Sequence, residues 1–239
     1  MNHHLTKSLS RIATACLLAC TSITAGATLS VYPAGNPGMY HNDDYTVKVR
    51  TIGGEWQDLY EYRVQVDMDK PQEASMVQFD MDEPVEVMVK KNNGIFSQVD
   101  IRPLKNGIKY ERQGNVITFR MDEPKYLSVE FDGDRLHNLH LFANPVETEV
   151  YTESKGNVLY FGPGTHKPDD LPNNQIRILS NTTVYIAPGA VIKAKLLIDN
   201  AENVRILGRG ILDHPIRGSE ITNSKNVEID SVTIVNPDH

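Results

Sequence analysis

Short runs of alternating apolar and polar residues fill most of this chain, and its last third repeats one such run three times. The copies occupy residues 183–192, 203–212 and 226–235, and an isoleucine stands six residues before the first valine of each copy. A period of 20 to 23 residues built from short strands predicts a solenoid in which each coil packs only on its neighbours. Aligning the copies puts five apolar sets in register: Val184/Val204/Val227, Ile186/Ile206/Ile229, Val191/Ile211/Ile234, Ile192/Leu212/Val235 and Ile178/Ile198/Ile221.

Strands of this length are not stable alone, so the repeat predicts a right-handed parallel β-helix that stacks its valines and isoleucines inward. Aligned asparagines at the corners of such a helix form hydrogen-bonded ladders between successive coils. A flat sheet or a second sandwich is the alternative, and polar positions that also align over three copies argue against it. The two polar sets are Ser180/Asn200/Asn223 and Thr183/Asn203/Asn226.

The preceding half of the chain has the pattern of antiparallel β structure, because short alternating runs are separated by Gly and Asn turn signals. Such strands at regular spacing predict a sandwich of two sheets. The predicted strands cover residues 45–50, 56–66, 76–79, 85–89, 96–101, 116–119 and 127–131. We therefore expect an all-β protein with a signal peptide (1–27), an N-terminal antiparallel β-sandwich (28–148) and the first coils of a parallel β-helix (149–239).

The start of the chain has the features of a secretory signal peptide. Lys7 and Arg11 precede an apolar run over residues 12–19, and Ala25-Gly26-Ala27 provides a small-residue cleavage site. The run is too short to span a membrane, so no transmembrane segment is expected. The sequence predicts a mature protein that starts near Thr28 and is secreted or periplasmic.

Both cysteines, Cys16 and Cys20, lie inside this signal segment, so the mature chain has no disulfide and no cysteine ligand for a metal. A lipoprotein modified at Cys20 is the alternative, although the surrounding residues fit a lipidation box poorly. Aligned acids in Met81-Asp-Glu-Pro84 and Met121-Asp-Glu-Pro124 suggest calcium, but adjacent acids do not form a spaced ligand loop. We expect no metal and no cofactor.

The formal charge of −7 at pH 7 argues against a nucleic-acid partner. Between residues 177 and 217, however, basic residues outnumber the acidic ones, which are Asp199, Glu202 and Asp213. A local excess of this kind suits an anionic ligand, although a solvated surface is the simpler alternative. The basic residues are Arg177, Lys193, Lys195, Arg205, Arg209 and Arg217.

The spacing between the copies locates one candidate binding loop. The valines of the second and third copies lie 23 residues apart instead of 20, and the extra residues fall within positions 213–220. Insertions in solenoid coils project on one face, which is frequently the binding face. Asp213, His214 and Arg217 are therefore candidates to hold a sugar hydroxyl or carboxylate. The alternative is a surface turn tied by its own Asp and Arg.

The other candidate groups have structural alternatives. Trp56, Tyr60 and Tyr62 have the chemistry to stack on a sugar ring, but their spacing is simpler to explain as a core stripe. His137 and His140 lie near the end of the sandwich, where an interface role is simpler than catalysis. The sequence contains no Ser/His/Asp, P-loop, dinucleotide-binding or zinc-binding pattern.

Several segments together carry a family resemblance: Leu139-His-Leu-Phe-Ala-Asn-Pro145, Tyr160-Phe-Gly-Pro-Gly-Thr-His166, Val184-Tyr-Ile-Ala-Pro-Gly-Ala190, Val204-Arg-Ile-Leu-Gly-Arg-Gly-Ile211 and Asn236-Pro237. In these segments the chain resembles the pectin-lyase-like parallel β-helix glycoside hydrolases. Those are the polygalacturonases of family 28 and the dextranases and isopullulanases of family 49. The preceding sandwich is similar to that of family 49 and of bacterial family 28 relatives.

That resemblance implies inverting hydrolysis of a glycosidic bond, with one aspartate as general acid and others activating water, at a carboxyl separation of roughly 6.5–9.5 Å. It places those aspartates on coils beyond the Asn236-Pro237 segment. The three registered copies contain none of the Asn-Thr-Asp, Asp-Asp, Gly-His-Gly and Arg-x-Lys motifs of polygalacturonases. No catalytic residue is therefore assigned.

We expect the N-terminal portion of a secreted glycoside hydrolase, inactive by itself, whose partner is an extracellular polysaccharide. Pectic polygalacturonate is placed slightly ahead of α-glucan because of the basic coils. The alternative is a non-catalytic carbohydrate-binding or adhesin-like module. An uncapped last coil, with Val232 and Ile234 exposed, predicts self-association through that end.

Overall fold

A computed structural model describes residues 29–34, 41–67, 69–167, 175–215 and 219–236. The predicted signal peptide and Arg217 lie outside these described residues. Within them the protein is all-β, apart from one 3₁₀ turn at Leu104–Asn106. In the described part of the chain, no helix is long and apolar enough to cross a membrane.

Two sheets form the N-terminal half. The first contains β1 (Leu29–Val31), β4 (Tyr62–Val66), β5 (Gln72–Met81), β7 (Val99–Arg102), β10 (Tyr126–Phe131) and β11 (Leu139–Asn144). The second contains β2 (Tyr45–Thr51), β3 (Gln57–Asp58), β6 (Val85–Lys91), β8 (Tyr110–Gln113) and β9 (Val116–Met121). The strand orders are β1-β5-β11-β10-β7, with β4 also paired to β5, and β3-β2-β6-β9-β8.

One apolar core lies between these two sheets, as the alternation predicts. Val47 and Val49 of β2 are fully buried, and so are Val77 and Phe79 of β5, which belongs to the other sheet. One pair departs from the antiparallel pattern, because β11 pairs with β5 in parallel. The chain crosses to the second sheet and returns between these two strands, and a long crossover of this kind permits a parallel pair.

The strand predicted over residues 56–66 is divided in the structure. Its first part, β3, pairs with β2, whereas β4 pairs with β5 in the other sheet. Glu61 lies where the chain changes sheet, and its Oε1 accepts a hydrogen bond from the Val47 backbone N–H at 2.6 Å. This bond satisfies a backbone donor at the place where the chain leaves the ladder.

Three parallel sheets form the C-terminal half. The first contains β12 (Val158–Phe161), β15 (Thr183–Ile186), β18 (Glu202–Gly208) and β21 (Lys225–Ile229). The second contains β13 (Gly164–His166), β16 (Ala190–Ile192), β19 (Ile211–Asp213) and β22 (Thr233–Val235). The third contains β14 (Gln175–Ile178), β17 (Lys195–Asp199) and β20 (Glu220–Thr222). Along the chain the strands enter the three sheets in the same order on each turn, and neighbouring strands in each sheet are parallel, so the predicted parallel β-helix is confirmed. The first, second and third coils are those that contain residues 178–192, 198–212 and 221–235.

Strand pairing confirms part of the predicted apolar register. One set is confirmed over all three coils, and each of the other four is confirmed for one pair of neighbouring coils. The confirmed partners are Ile178 with Ile198 and Ile221, Val204 with Val227, Ile206 with Ile229, Val191 with Ile211, and Ile192 with Leu212.

The predicted register is wrong between β15 and β18, which are shifted by two residues. Val184 lies opposite Ile206, and Ile186 lies opposite Gly208. A Cβ at Gly208 would lie 2.0 Å from the Ile186 carbonyl oxygen, and the Gly208 φ of +114° also favours glycine. The close approach of these strands therefore requires glycine, and the turn that follows restores the register.

The predicted register is also wrong, by one residue, between β19 and β22. Leu212 pairs with Ile234 rather than Val235, and Ile211 pairs with Thr233 rather than Ile234. Because neighbouring residues of a strand point to opposite faces, this shift places Ile234 on the inner face and Val235 on the outer face. Val235 then packs with Ile211 against the sandwich.

An asparagine ladder runs along one corner of the coils. Asn203 Nδ2 donates to Asn181 Oδ1 at 2.9 Å, and Asn226 Nδ2 donates to Asn203 Oδ1 at 2.6 Å. The sequence alignment placed Thr183, rather than Asn181, next to Asn203. The two-residue shift of β15 accounts for the difference. All three asparagines have positive φ, which asparagine tolerates better than most residues.

The sandwich packs directly on the coils through the outer face of its first sheet. Tyr62, Val64 and Met76 form one apolar cluster with Val191 and Ile211 of the second β-helix sheet. Burial of these side chains holds the two halves together. Within β19, Ile211 of this cluster lies two residues before Asp213, the first of the candidate binding residues.

Candidate functional site

Asp213 ends β19, and only 2% of its side-chain surface is exposed. Its Oδ1 accepts hydrogen bonds from Asn236 Nδ2 at 2.6 Å and from His214 Nδ1 at 2.7 Å. Nδ1 is the donor in the second bond, because an ionised carboxylate only accepts. Lys193 Nζ lies 3.6 Å from Asp213 Oδ2. Oδ1 is therefore bonded within the protein, whereas Oδ2 is buried near the Lys193 ammonium without a hydrogen-bond partner among the described residues.

Asn236 links this cluster to the sandwich. Its side-chain oxygen accepts a hydrogen bond from the Gln65 backbone N–H of β4 at 2.6 Å, while its amide nitrogen donates to Asp213. The residue is buried and has a positive φ. Both ends of the amide are bonded, so the end of β22, the end of β19 and β4 are held in one arrangement.

His214 presents its ring to the surface beside the buried aspartate. Its side chain is 52% exposed although Nδ1 is bonded to Asp213. Its backbone N–H donates to the Val235 carbonyl oxygen at 3.2 Å, which fixes the turn after β19. With Nδ1 occupied, Nε2 is the ring atom that a ligand hydroxyl would meet.

The structure thus brings together two of the three predicted loop residues, Asp213 and His214, while Arg217 lies outside the described residues. It adds Lys193 and Asn236, which sequence reasoning did not assign to this site. Lys193 follows Ile192 as Asp213 follows Leu212, and those strands pair in register. The repeat alignment therefore contained the signal for Lys193. Asn236 depends on the sandwich contact, which no repeat encodes.

The described basic residues between positions 177 and 217 are paired with carboxylates. Four of those carboxylates, Asp80, Glu149, Glu220 and Glu228, lie outside that segment, so a count of its charges missed them. The local positive charge expected from the sequence is therefore neutralised among the described residues. The pairs are Arg177 with Asp199 (3.4 Å), Lys193 with Asp213 (3.6 Å), Lys195 with Glu220 (2.6 Å), Arg205 with Glu149 (2.8 Å) and Glu228 (2.7 Å), and Arg209 with Asp80 (2.8 Å).

The three aromatic candidates of the first hairpin do not form one surface. The Arg50 guanidinium covers the Trp56 ring, 4.3 Å from its centroid. Tyr62 is buried in the cluster between sandwich and coils, with the Tyr60 ring 4.8 Å away. Tyr62 therefore belongs to the core, the interpretation that the spacing of this group favours.

The two histidine candidates lie on the sandwich. His137 Nδ1 is 2.9 Å from Asp134 Oδ2 at the surface. His140 belongs to β11, and burial lowers its pKa. The partly buried imidazole lies next to the Phe142 ring, with 6.3 Å between the ring centroids, which is consistent with packing.

No protein-family model matches the sequence, and no curated protein is significantly similar to it. Among solved structures, the protein is similar to Dex49A from Penicillium minioluteum, a family 49 dextranase with a pectin-lyase-like β-helix. The identity is 22%, the match covers 78% of this chain and 48% of that chain, and the TM-score is 0.60. The likeness confirms the predicted resemblance at the level of the fold. The chain spans about half the length of Dex49A.

Proposed function

We propose that this chain is part of a secreted glycoside hydrolase that cleaves O-glycosyl bonds in an extracellular polysaccharide. The observation that carries the proposal is the combination of a β-sandwich with parallel β-helix coils, in a fold similar to that of Dex49A. Because the chain spans about half of that protein, the hydrolytic activity is proposed for a whole enzyme and not for these residues alone.

We expect these 239 residues alone to be inactive. An inverting glycosidase needs two carboxyl groups roughly 6.5–9.5 Å apart, one on each side of the scissile bond. Asp213 is buried and bonded to Asn236 and His214, so it does not reach a glycosidic oxygen. We therefore assign the catalytic aspartates of the enzyme to other coils.

For the substrate we propose a neutral α-glucan ahead of pectic polygalacturonate. The preference for pectic substrate depended on the basic coils, and their described basic residues are ion-paired. A polyanion would meet the paired carboxylates as well as the cations, and that juxtaposition of like charges disfavours binding. The hydroxyls of a neutral sugar are uncharged, so these carboxylates do not repel them.

Within this part of the enzyme, we propose that Asp213, His214 and Arg217 contribute to sugar binding. His214 is the group that meets a hydroxyl, and Asp213 orients its ring. The exposed His214 ring also supports the alternative function, a non-catalytic carbohydrate-binding or adhesin-like module. Such a module binds sugar through surface groups and needs no catalytic aspartate.

We also propose export through the signal peptide at residues 1–27. Intact-mass measurement of the protein recovered from the medium or periplasm should give a chain that starts near Thr28. A chain that retains Met1 would contradict export by this route. A lipid-modified Cys20 would establish the lipoprotein alternative.

Hydrolysis and binding assays test the main proposal. Reducing ends are measured with this chain on dextran and on polygalacturonate, and binding to the same polymers is measured by affinity electrophoresis. We expect binding to dextran without release of reducing ends. Product release by this chain would show that it contains a catalytic pair, and failure to bind either polymer would contradict a carbohydrate function.

A matched pair of variants tests the loop. His214→Ala is expected to weaken dextran binding by about tenfold, the effect of losing one hydrogen bond. His137→Ala is the control, because His137 also pairs with an aspartate, at 2.9 Å, and is about as exposed as His214. Equal losses of dextran affinity in the two variants would show that His214 is not part of the binding site.

A further inference from the structure

A cavity of about 320 Å³ lies between the linker that joins β11 to β12 (residues 145–157) and the second and third coils. Its wall includes Glu147 and Glu149 of the linker, Arg205 and Arg209 of the second coil, and Asp230 of the third coil. Cavities of this size at the junction between two parts of a chain are common sites for small ligands. This cavity is separate from the loop at Asp213.

Ion pairs hold the wall of the cavity in place. Arg205 donates from Nη1 and Nη2 to the two oxygens of Glu149 at 2.8 and 2.9 Å, and from Nε to Glu228 at 2.7 Å. Arg209 donates from Nε to Asp80 at 2.8 Å and from Nη2 to the Pro145 carbonyl oxygen at 2.7 Å. Paired guanidinium bonds restrict orientation as well as distance. A ligand would therefore find a wall that needs little further ordering.

Two further carboxylates line the cavity, and one oxygen of each accepts a hydrogen bond from a neighbouring hydroxyl. Glu147 Oε2 accepts from the Tyr185 hydroxyl at 3.0 Å, and Asp230 Oδ1 accepts from the Ser231 hydroxyl at 2.8 Å. Burial raises the pKa of Glu147; the Arg209 charge and the Tyr185 hydrogen bond oppose this shift, and the Asp80 and Asp230 charges add to it. The second oxygen of each carboxylate is an acceptor for a ligand hydroxyl.

The charged residues of the cavity wall indicate which class of ligand it would bind. Four carboxylates and two guanidiniums line the cavity, and both guanidiniums are already bonded to carboxylates. The net negative wall disfavours an anion such as a uronate. A metal ion is not favoured either, because no three His, Cys, Asp or Glu side chains of the described residues are grouped to hold one. A neutral, hydroxyl-rich ligand matches the available acceptors.

We infer that this cavity is a binding subsite for one unit of a neutral saccharide chain. Glu147 and Asp230 accept hydrogen bonds from its hydroxyls, and the arginine ion pairs position the surrounding wall. The inference rests on the proposed function, which supplies a polysaccharide, and it adds a second point of contact whose lining residues differ from those of the substrate loop proposed above.

Isothermal titration calorimetry with isomaltotriose as the neutral probe and trigalacturonate as the anionic probe tests this inference. Glu147→Ala and Asp230→Ala are each expected to weaken isomaltotriose binding by about tenfold, as expected for a lost bond to a charged group. Trigalacturonate should bind more weakly than isomaltotriose. Glu153→Ala is the control, because it removes an exposed carboxylate from the same linker and should leave the affinity unchanged.

Glu147→Gln keeps the side-chain shape and an acceptor for Tyr185, so it provides a second variant if Glu147→Ala does not fold. Unchanged affinity in the cavity variants, with a loss in His214→Ala, would overturn the subsite and leave the proposed function standing. Tighter binding of trigalacturonate would overturn the assignment of a neutral ligand. Failure of the unaltered protein to bind either probe would overturn both proposals.

Discussion

The Arg209 guanidinium of the β-helix and the Asp80 carboxylate of the sandwich form an ion pair of 2.8 Å, with 5% and 4% of their side-chain surfaces exposed. Tyr32 donates its hydroxyl to the same carboxylate. Gln78 Nε2 donates to the Arg209 carbonyl oxygen at 3.0 Å. Because Arg209 also bonds to Pro145, this buried pair joins the sandwich, the linker and the second coil.

Replacing Arg209 by Met is expected to reduce the free energy of unfolding by about 3–5 kcal/mol, because Asp80 would remain as a buried charge without its partner. Urea unfolding followed by circular dichroism measures the change. Arg177→Met is the control, since it breaks an exposed pair with Asp199 and should cost under about 1 kcal/mol. Adding Asp80→Asn to Arg209→Met should recover part of the loss. Equal costs for the two single variants would show that the buried pair has no special role.

Replacing Gly208 by Ala tests the shifted register of β15 and β18. The new Cβ would lie 2.0 Å from the Ile186 carbonyl oxygen, so the strands would have to separate. Gly133→Ala is the control, because that glycine also has a positive φ but nothing within 4 Å of a new Cβ. We expect about 1 kcal/mol of destabilisation for Gly133→Ala and at least about 3 kcal/mol for Gly208→Ala, measured by urea unfolding. Similar losses would mean that only the backbone conformation matters at Gly208.

The raised pKa of Glu147 predicts a pH-dependent contribution to stability. Burial raises this pKa above the ordinary value of 4.5, so the folded protein binds the proton more tightly than the unfolded chain does. The resulting stability is present below the unfolded pKa and is lost as the pH rises through the folded pKa. Glu147→Gln, which stays neutral, should therefore gain stability relative to the unaltered protein as the pH rises above about 4.5.

Thermal midpoints of both proteins, measured from about pH 4 to about pH 8, test this dependence. The difference between them should grow with pH and then level off when Glu147 is ionised in both states. Glu153→Gln provides the background for changing an exposed linker carboxylate. A difference that is constant or shrinks with rising pH would contradict the sign of the shift.

The third coil exposes isoleucines whose partners in the second coil are buried. Exposed apolar strand edges favour association, so we predict that this chain self-associates through that coil. Ile229→Lys should reduce the association seen by sedimentation velocity, whereas Ile52→Lys, at an equally exposed site of the sandwich, should not. A monomer at every concentration would contradict the prediction. The exposures are 45% for Ile221, 46% for Ile229 and 44% for Ile234, against 0–1% for Ile198, Ile206 and Leu212.

The sequence by itself determined that this protein is all-β and that its second half is a parallel β-helix. Both features follow from local periodicity, since alternation over a few residues identifies a strand and a repeat of 20 to 23 residues identifies a coil. The same periodicity identified the Asp213–His214 turn as a place where a coil is enlarged. Lys193 was already visible in the alignment as the residue one coil before Asp213.

Only the tertiary structure decided the register of β15 on β18 and the state of the basic residues. The register depends on how closely Ile186 and Gly208 approach, which an alignment of apolar positions does not contain. Arg209 is paired with a carboxylate 129 residues away, through the packing of the sandwich on the coils. Contacts between distant segments depend on that packing and not on any repeat. Through such contacts, basic residues that the sequence shows as a local excess of positive charge are paired with carboxylates.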